Sequence, residues 1–304
     1  SQSTAPRDSQ SINILYIAPW MVPGGADIVT IDWFKGLDNA RFNKYFVTTE
    51  PKNNAWIFNL KGYAREIYEL PALGYSDPQK IRDFVLDLIA LKDIRIVHVM
   101  NSRIGYDLLP AIKQKFHEIV TVAQFHCFDY LENGQRAGYP HDIPMKYDAY
   151  IDFYNVVSLA LQREILESYS PIDEAKFKVI YCCIDTHKFD PERVECDPEI
   201  LALKRPDCLN LLFIGRLDRQ KQPLVMAQVA LALKERGISF VIHVLGEGNI
   251  ESQHKDLENY IRAHDLADQI ILHGVQSQDR IMSWYKIGDI VLMTSAWEGI
   301  PIVL

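Results

Sequence analysis

Leu209 to Lys221 reads LNLLFIGRLDRQK, and this run decides the fold class. Leu209 to Ile214 is apolar, short and stopped by Gly215, which predicts a buried strand. The turn that follows carries Arg216, Asp218, Arg219 and Lys221. Pro223 to Arg236 then returns to helical spacing, with proline at its first turn. A buried strand, a glycine-led turn and a helix form one step of an alternating β/α chain. The alternation continues downstream: Phe240–Leu245, Gln269–Leu272 and Asp289–Met293 read as strands, and Ile250–His264 and Gln278–Lys286 as helices. It also runs upstream. There Ile12–Ala18, Tyr45–Thr49, Ile94–Met100, Ile119–Phe125, Val156–Ser158 and Lys178–Tyr181 read as strands. Ala26–Leu37, Gln79–Lys92 and Leu159–Tyr169 read as helices between them. Near-continuous apolar strands separated by helices predict parallel sheets covered on both faces.

One segment breaks the pattern. Asp185 to Asp207 carries Pro191, Pro198 and Pro206, many charges and little apolar periodicity, as a connection between domains would. The expected organisation is a small polar lead-in or tag remnant at 1–10, a first doubly wound α/β domain at 11–186, a linker at 187–208, and a second such domain at 209–304. A length of 304 residues is long for one core and agrees with two. Tandem sheets of this kind bind ligands at the carboxyl ends of their strands, so the expected site lies in a cleft between the domains.

Composition narrows the function. Apolar residues are 48 % and charged residues 24 %, ordinary for a folded globular chain. The net charge of −8 lies mostly in the second half, and no dense Lys/Arg cluster forms the footprint that nucleic acid requires. No apolar run approaches the roughly eighteen residues of a membrane-spanning helix, and no secretory signal is read. The odd set Cys127, Cys182, Cys183, Cys196 and Cys208 lacks Cys-x-x-Cys spacing, which predicts free thiols in a reducing cytosol rather than a disulfide framework or a zinc site.

Chemistry can sit at the ends of these strands. Gly24-Gly25, between the first strand and helix, would let backbone N–H groups approach a phosphate, or would serve as a plain tight turn. Arg216 offers a planar fork and Lys221 a point charge, a pair that suits a diphosphate; the alternative is a solvated charged turn. Gly246-Glu247-Gly248 ends the next strand and could line the same cleft or simply turn the chain. Glu298 stands at a strand-to-helix junction with Gly299 opening the helix, where a carboxylate can accept sugar hydroxyls or merely complement a helix dipole. His126 ends a parallel strand and is expected to point into the crevice. The stretch Cys127 to Lys146 behind it reads as a long loop with Tyr130 and Tyr139, a candidate lid on the acceptor side. No Asp-x-Asp pair, Walker loop, Gly-x-Ser-x-Gly elbow or dinucleotide fingerprint is present.

Taken together these residues resemble family-four retaining glycosyltransferases of the GT-B architecture, two tandem Rossmann-like domains. LLFIGRLDRQK is similar to that family's phosphate-binding strand-loop, HVLGEG to its Gly-Asp-Gly turn, ILHGVQ to its nucleobase segment, and SAWEGIPIVL to the start of its Glu-x7-Glu motif. GGAD at Gly24 to Asp27 resembles its Gly-Gly loop, the histidine of FH at His126 its active-site histidine, and VIYCCID its segment near the hinge, with Cys182-Cys183 replacing the usual Asn-Gly. The second glutamate of the motif would fall just past Leu304, so the resemblance implies a second domain cut within that motif.

The resemblance implies roles. Arg216 and Lys221 would hold the donor diphosphate and support it as a leaving group, Glu298 would bind donor-sugar hydroxyls, and His126 would orient the sugar. Gly24 and Gly25 would back the phosphate, and the backbone of Gly299, Ile300 and Pro301 would touch sugar and phosphate. Gly215, Gly246 and Gly248 would line the donor site, with Val275 and Gln276 near the base. It implies a UDP- or GDP-sugar donor, a glycan, lipid-linked or small acceptor, retention of configuration, and no metal or other cofactor. Polysaccharide synthesis in the cytoplasm, with peripheral contact at a membrane's inner face, is the implied setting. The other readings are a sugar-nucleotide epimerase or hydrolase of the same architecture, and a catalytically inactive glycosyltransferase-like scaffold.

Overall fold

The computed structural model describes residues 11–169, 171–187, 189–193, 195–248 and 251–303; the expected lead-in at 1–10 and Leu304 lie outside them. The chain divides into two units, the first running to Cys183 and the second starting at Ile184. None of the five cysteines is in a disulfide. Among the described residues no helix is long and apolar enough to cross a membrane.

The first unit is built on β1 (Ile12–Ala18), whose inner residues are fully buried. It pairs in parallel with β2 (Phe42–Thr48) on one side and β4 (Ile96–Met100) on the other. With β3 (Glu66–Glu69), β5 (Val120–Phe125), β8 (Phe153–Val156) and β9 (Phe177–Val179), the order is β3-β2-β1-β4-β5-β8-β9, every pair parallel. The order in which strands are added to the sheet therefore reverses beside β1. Between strands run α1 (Gly25–Gly36), α2 (Pro78–Leu91), α3 (Arg103–Lys115) and α5 (Leu159–Ser168). Short polar side chains start three of these helices: Asp77 accepts from Gln79 N and Lys80 N, Ser102 from Gly105 N, and Ser158 from Leu161 N. Ser158, expected at the end of a strand, is thus a helix cap. The buried Lys44 on β2 donates to Phe34 O and Leu37 O, carbonyls that the end of α1 leaves unpaired.

The expected lid at Cys127 to Lys146 is not an open loop. It forms a hairpin, β6 (Asp129–Tyr130) and β7 (Arg136–Ala137), followed by α4 (Tyr139–Tyr147). Gly138 turns between them at φ +86, where an added Cβ would sit 3.0–3.3 Å from Asp129. Arg103 holds Asp142 at 2.7 Å, the Tyr139 ring packs 5.2 Å from Tyr106, and Pro140, Ile143 and Pro144 are buried. Prolines and glycines that read as a loop here supply a helix start and a hairpin turn.

The second unit repeats the plan on a smaller scale. β10 (Leu209–Ile214) pairs in parallel with β11 (Phe240–Leu245) and with a short β13 (Ile290–Val291), and β12 (Ile270–Leu272) lies beyond β11. The expected linker at 187–208 is part of this unit at its later end. Asp197 caps α6 (Pro198–Leu201) and pairs with Arg280 at 2.8 Å. Ile200 is buried with Leu212, Leu245, Trp284 and Ile287. One apolar residue and one capping acid fix a stretch whose overall composition reads as solvated. α7 (Pro223–Glu235) and α8 (Glu251–Ala263) follow β10 and β11, and α9 (Gln278–Ile287) precedes β13.

Candidate active site

In the second sheet the order β12-β11-β10-β13 reverses direction between β10 and β13. The loops leaving those two strands therefore meet at the point where doubly wound sheets bind ligands. Backbone bonds lace the loops together: Gly215 N donates to Leu245 O, Leu217 N to Glu247 O, and Gly246 N to Gly274 O. The closeness needs glycine. Gly246 has φ +142, and a Cβ there would stand 2.0 Å from Gly215 O.

The charged turn after β10 folds onto the segment after β13. Asp218 Oδ1 accepts from Lys221 N, and Thr294 Oγ1 donates to the carbonyls of Lys221 and Gln222. Gln220 bridges both strand ends: its carbonyl accepts from Ala296 N at 2.8 Å and its amide donates to Trp297 O. This clamp carries Lys221 Nζ to 2.6 Å from Glu298 Oε1, with both side chains less than a fifth exposed. Arg216 reaches Asp218 Oδ2 at 3.0 Å and Gln220 Oε1 at 3.1 Å, yet its side chain stays 56 % exposed. Arg216, Lys221, Glu298, Gly215 and Gly246 thus form one cluster of this unit. Sequence spacing did not single out Gln220, although it lies inside the motif.

Other expected site residues divide. Gly299, Ile300 and Pro301 follow Glu298 and are partly exposed, but residues 292–303 hold only bends and a turn at 302–303, so no helix opens at Gly299 among the described residues. Pro301 has no N–H, which leaves Gly299 and Ile300 as the donors there. Gly248 ends the β11 loop next to undescribed residues 249–250. Val275 is 62 % exposed. Gln276 is already engaged, accepting from Trp284 Nε1 and donating to His273 O. Beneath it His243 and His273 face each other at 3.0 Å; burial is the main cause pushing His243 down to about 4.

In the first unit, Gly24 caps α1 with extended backbone and Gly25 begins the helix. The first turn of α1 also holds Asp27, whose Oδ1 accepts from Val22 N at 3.1 Å and whose carboxyl burial pushes up to about 6. A Cβ on Gly24 would lie 3.0 Å from Asp27 Oδ2, so this glycine makes room for a carboxyl as well as for any anion. His126 follows β5 as expected. Its Nε2 lies 3.2 Å from Gln124 Nε2, and burial pushes the imidazole down to about 4, so the ring is neutral at physiological pH. Gln124 itself was not singled out from the sequence. Among the described residues no group of three or more His, Cys, Asp or Glu is arranged to hold a metal ion.

Comparison with known proteins fits this geometry. Residues 203–304 match the family model for Glycosyl transferases group 1. The chain is 29 % identical over 137 residues to the UDP-Gal:alpha-D-GlcNAc-diphosphoundecaprenol alpha-1,3-galactosyltransferase of Escherichia coli, covering 44 % of this chain. It is 30 % identical over 156 residues, 48 % of this chain, to the amylovoran biosynthesis glycosyltransferase AmsK of Erwinia amylovora. These matches span 34 % and 37 % of the relatives' own lengths. The Anabaena protein HepE, crystallised with UDP, superposes with a TM-score of 0.72 at 17 % identity, over 96 % of this chain and 77 % of its own. The fold is the α/β fold with parallel sheets of GT-B glycosyltransferase structures.

Proposed function

We propose that this protein is a retaining glycosyltransferase that moves a hexose from a UDP-sugar to a glycan or lipid-linked acceptor without a metal ion. The observation that carries the reading is the Lys221–Glu298 pair at the direction switch of the second sheet, with the exposed Arg216 beside it. A departing nucleoside diphosphate gains negative charge as the glycosidic bond breaks. A lysine and an arginine fixed on one turn stabilise that charge most in the transition state. Glu298 accepts sugar hydroxyls, and Gly299 and Ile300 donate backbone N–H groups to sugar and phosphate. His126, neutral and half-buried, supplies a hydrogen bond that orients the sugar. Support for a UDP donor and a lipid-linked acceptor comes from the names of the E. coli relative and of HepE, and support for polysaccharide synthesis from that of AmsK.

The test is product formation from UDP-sugars with diphosphate-lipid and oligosaccharide acceptors, with anomeric configuration read by NMR. Transfer with retention is expected, and EDTA should change the rate by less than about twofold because Arg and Lys supply the charge that a metal otherwise would. Nucleotide release that needs no acceptor would replace transfer by hydrolysis or epimerisation. Activity lost to EDTA and restored by Mn²⁺ would reject metal independence.

A further inference from the structure

Four neighbouring strands of the first unit place a polar side chain in one buried row. Tyr16 on β1, His98 on β4, Gln124 on β5 and Asn155 on β8 are each between 0 % and 6 % exposed. The strand register sets Tyr16 opposite His98 and Gln124 opposite Asn155. The Tyr16 and His98 rings lie 5.2 Å apart, and Trp33 from α1 meets the His98 edge at 5.4 Å. Burying amide and imidazole groups under a helix costs free energy that apolar side chains would avoid, so the row calls for a reason. The row ends at His126. Asn155 Nδ2 donates to Gln124 Oε1 at 3.2 Å, which turns the other end of that amide, Nε2, to His126 Nε2, also at 3.2 Å. An amide nitrogen can only donate. With the amide oriented this way, the facing ring nitrogen carries the lone pair and the imidazole proton sits on Nδ1, which has no partner among the described residues.

We propose that Gln124, oriented by Asn155, is a positioning residue that fixes His126 in its Nδ1–H tautomer and so presents Nδ1–H as the free donor. The use of that donor on a sugar rests on the function proposed above; the tautomer does not. His98, the titratable neighbour of His126, is held neutral chiefly by burial, against which the Gln124 side chain acts in the opposite direction.

The experiment is NMR of labelled imidazole nitrogens in the whole protein at neutral pH without substrate, His126→Asn identifying the signals. Wild type should show an unprotonated Nε2 and a protonated Nδ1. Gln124→Leu should release the ring to the Nε2–H form and lower kcat about tenfold or more with donor KM within about threefold, the size expected for losing a group that orients a functional histidine. Gln124→Glu, close in shape, supplies only acceptors and should force Nε2–H even if the leucine variant folds poorly. An Nε2–H ring in wild type overturns the proposal, as does an Nδ1–H ring that persists in Gln124→Glu, or, where His126→Asn lowers turnover, an unchanged kcat in a folded Gln124→Leu. Undiminished turnover in His126→Asn is a separate result: it would remove His126 from the proposed reaction while the spectra still judge Gln124.

Discussion

At the scale of single residues, the site is poised by charges that neutralise one another. Lys221 and Glu298 are 2.6 Å apart and mostly shielded from water, so without substrate each satisfies the other. On the proposed function, a donor diphosphate would have to win the lysine from that carboxylate, while the sugar hydroxyls would take over the carboxylate. Two outcomes follow for turnover and binding. Lys221→Ala should lower kcat about a hundredfold, roughly 3 kcal/mol of lost leaving-group stabilisation, as measured with a saturating UDP-sugar; a rate within a factor of about three of wild type would remove the assignment. Glu298→Gln should divide binding from turnover. It removes a negative charge beside the diphosphate, so affinity for UDP alone should hold or rise by about threefold in calorimetry, as for loss of a like-charge neighbour. It also removes the acceptor for sugar hydroxyls, so kcat should fall about tenfold or more, since hydrogen bonds to charged groups contribute about 1.5–3 kcal/mol. A parallel loss of UDP affinity would mean that Glu298 serves only to hold Lys221 in place.

At the scale of elements, legibility depended on whether local pattern and tertiary contact agreed. Ile12–Ala18, Leu209–Ile214 and Phe240–Leu245 were read to the residue because each is a mostly apolar run whose inner residues are buried on both faces. That Arg216, Lys221 and Glu298 would come together was legible because strand ends deliver side chains to one edge of a parallel sheet. What composition hid was stabilised by single contacts. Asp142 on Arg103 anchors α4 inside an apparent loop, Ile200 anchors α6 inside an apparent linker, and Asn155 turns Gln124 toward His126. Such pairings join residues 12 to 87 positions apart and leave no periodic trace. The loops at the site show the same dependence. Gly246 passes so close to Gly215 O that no Cβ fits, and both glycines have positive φ. Gly246→Ala should therefore destabilise the second unit by about 2–4 kcal/mol and displace the Arg216–Lys221 turn. Urea unfolding with donor binding on the same sample checks it: wild-type stability and affinity together would show that the two loops can part without cost.

At the scale of the whole molecule, both units bury neutral histidines beside their polar strand ends, and this fixes how stability responds to acid. Burial is the leading cause that lowers His98 to about 3 and His126 to about 4 in the first unit, and His243 to about 4 in the second; it lowers His273 as well. An unfolded histidine titrates near 6.5, so between that value and the folded one the unfolded chain binds more protons. The stability these groups confer is complete above pH about 6.5 and is lost as pH falls, at about 2 kcal/mol for each strongly shifted histidine by pH about 5. Asp27 works the other way. Its folded value near 6 exceeds its unfolded value, so its contribution is present at low pH and lost as pH rises through about 6; acidification from pH about 7 to 5 returns about 1 kcal/mol. The histidines outnumber it, and the balance is a net loss on acidification. Calorimetric Tm should fall from pH about 7.5 to 5, with hydrogen exchange rising in peptides of both units rather than one. His98→Asn should flatten the pH slope while lowering Tm at neutral pH, since it removes a proton-binding site along with its packing against Tyr16 and Trp33. A Tm that is constant or higher at pH about 5 would show that these rings are already solvated in the folded chain.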